Sequence, residues 1–307
     1  MEKYPGIEFI SRKDIDTKKW DACIDNAPNG LIYAYSYYLD AMSTHWSGLI
    51  SGDYDNVMPL TWNKKWGIHY LYQPFLCAQL GVFGKNTNPE MLRRFILAIP
   101  PQFRYIDIYL NPFNICDEGT RGYYLRSNYV LSLTGEYEHF FSTYRENTRR
   151  NIKKSEQVNC YLKKDFSADA VIAIAKEQMN RTLKAKAEDY DNLKKIYHHL
   201  HRQNQAITYG IFSASNRLLA SAIFFFSHQR AYYILAGNHP DGRTTGASHA
   251  LIDAFIKDHA GKNLILDFEG SDIRSLAFFY SSFGAMEEKY PALRINNLPF
   301  YIKWLKK

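Results

Sequence analysis

Three consecutive strand patterns in the second half of the chain constrain the fold more than any other feature. They are AITYGIFSA, RLLASAIFFFSH and RAYYILAGNHP, which span residues 206–240. Short apolar runs bounded by turn residues predict strands. Helix, strand, helix and strand patterns follow them, and such alternation predicts a sheet with helices on both faces. We therefore predict an α/β fold with a mixed sheet.

The first half repeats this organisation in outline. Helical patterns around residues 14–27, 36–46 and 88–100 surround a strand–turn–strand pattern whose tip is Asn63-Lys64-Lys65-Trp66-Gly67. Strand patterns follow at FRYIDIYLNPF and YYLRSNYVLSL, and a long helical stretch follows to about residue 157. We predict two tandem domains, 1–143 and 144–307, and expect the tail 296–307 to be able to pack on the first.

Composition narrows the class of protein. Of the 307 residues, 46% are apolar and 22% are charged, which is typical of a globular chain and not of a disordered one. No apolar run is long enough to span a bilayer, and the start of the chain has no secretory apolar core. The four cysteines are widely spaced, which argues against a zinc site or disulfide framework. These features predict a reduced, cytoplasmic protein.

The positive charge is concentrated after residue 135. Up to that point 13 basic residues balance 13 acidic ones, and the whole excess of +7 follows it. The segment YRENTRRNIKKSEQ places Arg149, Arg150, Lys153 and Lys154 on one broad face of a helix. This face is either a solvated surface or a binding surface for CoA phosphates, a lipid-linked pyrophosphate or the tRNA backbone.

A glycine-containing connection precedes the helix that begins at Ala247. We predict DGRTTG to be a loop between a strand and that helix. Small residues let backbone N–H groups approach a ligand, and a helix N-terminus favours an anion. The candidate phosphate-binding residues are Arg243, Thr245, Gly246, Ala247 and Ser248. An ordinary strand–helix connection has a similar composition, so that alternative stays open.

Glu269 ends a strand and is the candidate general base, with Asp267 two residues earlier on the same face. The alternative is a carboxylate that caps the following helix.

His198 and His201 share a helix face, but no clear ligand set accompanies them, so we predict no metal site. The sequence has no Walker A loop, no G-x-S-x-G and no H-E-x-x-H, which argues against an NTPase and a serine nucleophile.

Two family resemblances rest on these residues. Arg243-x-x-Gly246-Ala247-Ser248 at a helix start resembles the acyl-CoA loop of GNAT N-acyltransferases, with Ser248 in place of the family's Gly or Ala. LILDFEGS matches the family's fifth strand, and FFYSSFGA matches its closing helix. This resemblance covers about 165–295. It implies an acyl-CoA donor and a role for Tyr280 as general acid toward the leaving thiolate.

The wider resemblance covers nearly the whole chain. Two such domains linked by R-x-N-x-R-R-N-I-K-K, which here runs from Arg145 to Lys154, resemble the FemABX peptidyltransferases. That family implies a bacterial enzyme that moves an amino acid from aminoacyl-tRNA to a cell-wall precursor. It also implies a substrate-facing loop at LYQPFLCAQLGVF, with Tyr72, Gln73 and Gln79 as contacts; the alternative is a strand with a bend.

Our functional hypothesis is an N-acyltransferase that moves an acyl or aminoacyl group from an activated donor, with acetyl-CoA or another acyl-CoA first, to an amine acceptor. Glu269 and Tyr280 are the candidate catalytic residues. One alternative is an aminoacyl-tRNA-dependent transferase that acts on a cell-wall precursor. A further alternative is a non-catalytic fold that binds an anion or nucleic acid.

Overall fold

The computed structural model describes residues 6–85, 87–117, 119–179, 186–300 and 303, without the side chains of residues 179 and 243. Its internal contacts divide the chain into two compact units. The first comprises Met1–Arg126 with Lys289–Lys307, and the second comprises Ser127–Glu288. The sequence-based domain limits at residues 143 and 144 stay a prediction. Most of the predicted packing tail after residue 300 lies outside the described residues.

Helices and strands alternate along the described chain, which confirms the predicted mixed α/β fold. The strands are β1 (Ile7–Ser11), β2 (His45–Ser51), β3 (Asn56–Lys65), β4 (Ile68–Leu71), β5 (Phe83–Gly84), β6 (Phe103–Tyr109), β7 (Tyr123–Ser132), β8 (Tyr161–Lys164), β9 (Ala206–Phe212), β10 (Leu218–Ser227), β11 (Arg230–Asn238), β12 (Ile265–Asp267) and β13 (Met286–Asn296). The α-helices are α1 (Thr17–Asn26), α2 (Ser36–Met42), α3 (Pro89–Ala98), α4 (Tyr137–Thr143), α5 (Glu146–Gln157), α6 (Ala168–Met179), α7 (Ala187–His201), α8 (Pro240–Thr245), α9 (Ala247–His259) and α10 (Arg274–Ser281).

The first unit is built on strands in the order β1-β2-β3-β4-β6, and residues 292–296 of β13 pair with β6. Neighbours are antiparallel except β4 and β6, which are parallel. The side chain of Asn88 accepts a hydrogen bond from Met91 N–H at 2.8 Å, and Pro89 follows at the first position of α3. This start agrees with the sequence pattern. Leu92 and Phe95 of α3 are buried in the core of this unit.

The second unit is built on strands in the order β7-β12-β11-β10-β9-β8. The three predicted strands of the meander are β9, β10 and β11, and β12 lies parallel to β11. Helix α9 covers this sheet: the Phe255 ring stacks on Phe224 with centroids 3.9 Å apart. Tyr209 packs edge-on against the same two rings. The buried aromatic core explains the high tyrosine and phenylalanine content of this half.

Three local predictions were wrong. DGRTTG is mostly helical, as the last part of α8, because His239 caps a helix that begins at Pro240. The long helix before residue 157 is two helices, since Tyr144 and Arg145 have extended backbone. The helix predicted over residues 36–46 ends at Met42, and His45 begins the strand β2. Neither β1 nor β2 was predicted. In the described part of the chain, no helix has both the length and the apolar character needed to cross a membrane.

Candidate active site

Directly after β12 the chain forms a β-bulge at Glu269 and Gly270. Phe268 N–H donates to Tyr129 O at 3.0 Å, and Ser271 N–H donates to Ser127 O at 3.0 Å. Between these bonds the β12 side has two residues and the β7 side has one, which is the count of a bulge. Glu269 has φ +67° and Gly270 has φ +89°. A bulky residue with left-handed backbone costs energy and is often found at a functional site.

Asp267 does not share the role predicted for Glu269. It is buried, and its carboxylate pairs with Arg230, Nη1 to Oδ2, at 2.6 Å. Asn128 Nδ2 donates to Asp267 Oδ1 at 3.0 Å, and Glu269 N–H donates to the same oxygen at 2.9 Å. Glu288 provides a second carboxylate for Arg230 at 3.3 Å. Asp267 therefore holds the backbone of the bulge in place.

Tyr280 lies beside this bulge on α10. Its ring stacks on Phe268 at a centroid distance of 4.4 Å and meets Tyr233 edge-on at 6.5 Å. Burial, with a smaller contribution from the charge of Glu269, raises the pKa of Tyr280 above its usual value. The phenol therefore keeps its proton near pH 7. Tyr280 thus contacts Phe268, the residue directly before Glu269, and the roles of Glu269 and Tyr280 as base and acid stay a prediction.

The predicted phosphate-binding stretch is the junction between α8 and α9. Thr245 Oγ1 donates to Gly242 O at 3.2 Å, and Ser248 Oγ donates to Asn238 Oδ1 at 2.6 Å. Ala247 is fully buried at the start of α9. Both hydroxyls therefore already have partners within the protein. The side chain of Arg243 lies outside the described part of the chain.

Gly246 permits a close approach of α5 to this junction. Its φ is +78°, and a Cβ atom placed on it would lie 2.1 Å from the carbonyl oxygen of Asn151. The backbone of the basic helix therefore lies directly beside Gly246. An anion at this junction would meet α5 as well as the start of α9.

The basic helix α5 has a buried face and a polar face. Thr148, Ile152 and Ser155 form the buried face. On the other side, Arg149 Nη1 donates to Ser142 O at 3.0 Å and Arg150 Nη2 donates to Asn147 Oδ1 at 3.1 Å. Lys153 and Lys154 are exposed. Within the described residues, none of these four cations forms an ion pair with a carboxylate.

The start of α5 is attached to the helix that carries Tyr280. Arg145 N–H donates to Ser282 O at 3.0 Å, and Thr148 Oγ1 donates to Ser282 Oγ at 2.8 Å. The Arg145 guanidinium lies over the Phe278 ring, 4.4 Å from its centroid. Sequence reasoning missed this attachment, as it missed the roles of Asn128 and Arg230, because each depends on partners far away in the chain.

Tyr72, Gln73 and Gln79 lie in the first unit. Tyr72 Oη accepts a hydrogen bond from Thr44 N–H at 3.0 Å. Gln73 bridges two segments: its Nε2 donates to Cys77 O at 2.7 Å, and its Oε1 accepts from Tyr109 N–H at 3.0 Å. Gln79 is buried. Gln73 therefore shapes the loop itself, and a substrate role for the three residues stays a prediction.

The histidines of α7 belong to a separate feature of the second unit. His201 Nε2 lies 2.6 Å from Asp165 Oδ1, and both line a surface pocket of about 350 Å³ with His259. No group of three or more His, Cys, Asp or Glu side chains in the described ranges is arranged to hold a metal ion.

Comparison with known proteins agrees with the fold. Residues 142–272 match the family model described as an acetyltransferase (GNAT) domain. The family model thus matches most of the second unit, and the chain has the GNAT fold. A comparison with curated proteins found no match.

Three solved structures resemble the chain over nearly its full length. FemX is 13% identical with a TM-score of 0.64, and the match covers 96% of this chain and 98% of FemX. L-PGS from Bacillus licheniformis is 13% identical with a TM-score of 0.55, covering 94% and 95%. The C-terminal domain of a putative lysylphosphatidylglycerol synthetase from Agrobacterium fabrum is 8% identical with a TM-score of 0.56, covering 96% and 95%. At these identities the likeness shows the fold alone.

Gly246→Ala tests the packing of α5. The new Cβ would clash with Asn151 O and would also need left-handed backbone, so we expect the free energy of unfolding to fall by about 3 kcal/mol. Gly261→Ala is the matched control, since Gly261 also has φ +78° but nothing lies within 4 Å of its Cβ position. It should cost only about 1–2 kcal/mol in urea denaturation. Equal losses would contradict the proposed close contact.

Arg230→Met tests the support of the bulge. The substitution leaves the buried Asp267 without its cation, so we expect a loss of about 3–5 kcal/mol in the free energy of unfolding. Arg217→Met removes the exposed pair with Asp241 in the same unit and should change stability by less than about 1 kcal/mol. Chemical denaturation of both variants measures the difference, and a mild effect of Arg230→Met would show that the ion pair is not structural.

Proposed function

We propose that the second unit catalyses transfer of an acyl or aminoacyl group from an activated donor to an amine. The observation that carries this proposal is the stacking of Tyr280 on Phe268, the residue directly before Glu269. Glu269 has a carboxylate on a strained bulge, and Tyr280 has a buried, protonated phenol. The match of residues 142–272 to an acetyltransferase model supports the same chemistry.

Each residue has a defined task in this reaction. Glu269 accepts a proton from the acceptor ammonium, directly or through water, so that the neutral amine attacks the donor carbonyl carbon. The new C–N bond forms as the bond from that carbon to the leaving sulfur or oxygen breaks. Tyr280 donates its proton to the departing thiolate or alkoxide, and the attacking nitrogen loses its second proton to the Tyr280 phenolate, directly or through water, which leaves a neutral amide. Positioning of donor and acceptor supplies a large part of the acceleration.

We place acyl-CoA first among the donors because the GNAT model describes acetyltransferases. Its phosphates would meet Ser248 and the start of α9 on one side and the cations of α5 on the other. Aminoacyl-tRNA is the second candidate, with a cell-wall or lipid-linked precursor as acceptor. Two observations favour it: the four basic side chains of α5 lack carboxylate partners among the described residues, and the chain has the FemX fold.

Glu269→Gln and Tyr280→Phe test the catalytic assignment. We expect each to lower the rate of acetyl transfer from acetyl-CoA to a panel of amino acids, amino sugars and lysine peptides by roughly 100-fold. Glu138→Gln and Tyr161→Phe, both at exposed positions of the same unit, should leave the rate unchanged. Unchanged rates in the first pair, at unchanged stability, would favour the non-catalytic alternative.

Lys153→Ala with Lys154→Ala distinguishes the donors. If the donor is aminoacyl-tRNA, its affinity should fall steeply with salt, and the double variant should reduce that salt slope by about 2. Calorimetric titration with acetyl-CoA should then show no heat. The control is Lys195→Ala with Lys262→Ala, which removes two exposed cations elsewhere in the unit. Saturable binding of acetyl-CoA with no tRNA affinity would assign the donor to CoA.

A further inference from the structure

The tip of the β3–β4 hairpin exposes a tryptophan. Lys65 pairs with Ile68 across the hairpin, so Trp66 and Gly67 form a two-residue turn. The side chain of Trp66 is 76% exposed, and nothing lies within 4 Å of a Cβ position on Gly67. This tip therefore extends into solvent.

Trp66 is an unfavourable residue for this turn. Its φ is +50°, in the left-handed region where Gly, Asn and Asp are preferred and a bulky residue is strained. Its indole also keeps most of its apolar surface in water. Folding of the hairpin alone does not account for either cost. Binding to something outside the chain would offset the cost of exposing the indole.

The surroundings of the tip are basic and partly apolar. Lys64 and Lys65 are exposed, and Lys65 Nζ lies 4.7 Å from the centroid of the Trp66 ring. Ile68 and Tyr70 are half-buried on the same strand face, next to the turn. The sequence from residue 56 to residue 89 contains no Asp or Glu. An aromatic tip with two lysines and no nearby acidic residue in sequence is complementary to an anionic surface.

We propose that this hairpin tip docks the protein on an anionic phospholipid surface. Trp66 enters the headgroup region, where indoles are enriched, and Ile68 follows it. Lys64 and Lys65 contact lipid phosphates. A convex tip fits a soft, planar surface better than it fits single-stranded nucleic acid, which binds along grooves lined with cations and stacking rings. The balance of 13 basic and 13 acidic residues before residue 136 also disfavours nucleic acid.

Co-sedimentation with phosphatidylglycerol–phosphatidylcholine vesicles tests the proposal. The full-length protein should sediment with anionic vesicles and not with pure phosphatidylcholine, and 0.5 M salt should weaken the binding. Trp66→Ala and, separately, Lys64→Glu with Lys65→Glu should each lower the partition coefficient roughly tenfold or more. The control is Lys13→Glu with Lys18→Glu, which reverses two exposed charges elsewhere in the first unit and should have a much smaller effect.

Two results would overturn the proposal. One is equal sedimentation of wild type and Trp66→Ala, with the folding of both confirmed by circular dichroism. The other is binding of a single-stranded oligonucleotide that requires Trp66, without any binding to anionic vesicles, which would assign the tip to nucleic acid. The result is independent of acyl transfer, because no substitution touches Glu269 or Tyr280.

Discussion

The buried ion pair between Arg230 and Asp267 is the interaction on which the candidate centre depends. A carboxylate at the end of a buried strand is stable only if a cation and hydrogen-bond donors satisfy it. Here Oδ1 of Asp267 accepts a hydrogen bond from the N–H of Glu269. The buried carboxylate that needs a cation therefore also fixes the backbone of the bulge. Phe268, between the two carboxylates in sequence, provides the ring on which Tyr280 stacks. The positions of the two candidate catalytic residues thus depend on one electrostatic requirement.

The second constraint is the contact between Gly246 and the backbone of Asn151. Helices normally keep their backbones apart by side chains, and only glycine removes that barrier at one point. The basic helix α5 is therefore held against the start of α9 instead of standing free in solvent. The sequence predicted two separate positive features, the N-terminus of α9 and the cations of α5. Because the two helices are in contact, an anion attracted by the dipole of α9 would also lie in the field of α5.

Sequence periodicity predicted the regular part of this structure well. The meander β9–β11, the helix start at Pro89 and the basic face of α5 follow from local patterns, because each is decided by neighbours within a few residues. The loop predicted at 241–246 was wrong, because Pro, Asp and Gly are typical both of turns and of helix starts. Arg230 and Asn128 could not be predicted, because their partner Asp267 lies 37 and 139 residues further along the chain.

The like charges on α5 carry a further consequence for function. Arg149 with Lys153, and Arg150 with Lys154, are spaced four residues apart, an arrangement that destabilises a helix by about 0.2–0.5 kcal/mol per pair. Packing of Ile152 and the contact at Gly246 compensate for this repulsion without removing it. A bound phosphate group between the two rows would remove it directly. We therefore expect a bound anion to stabilise α5, which would link the local energetics of this helix to the proposed binding of a phosphate-containing donor.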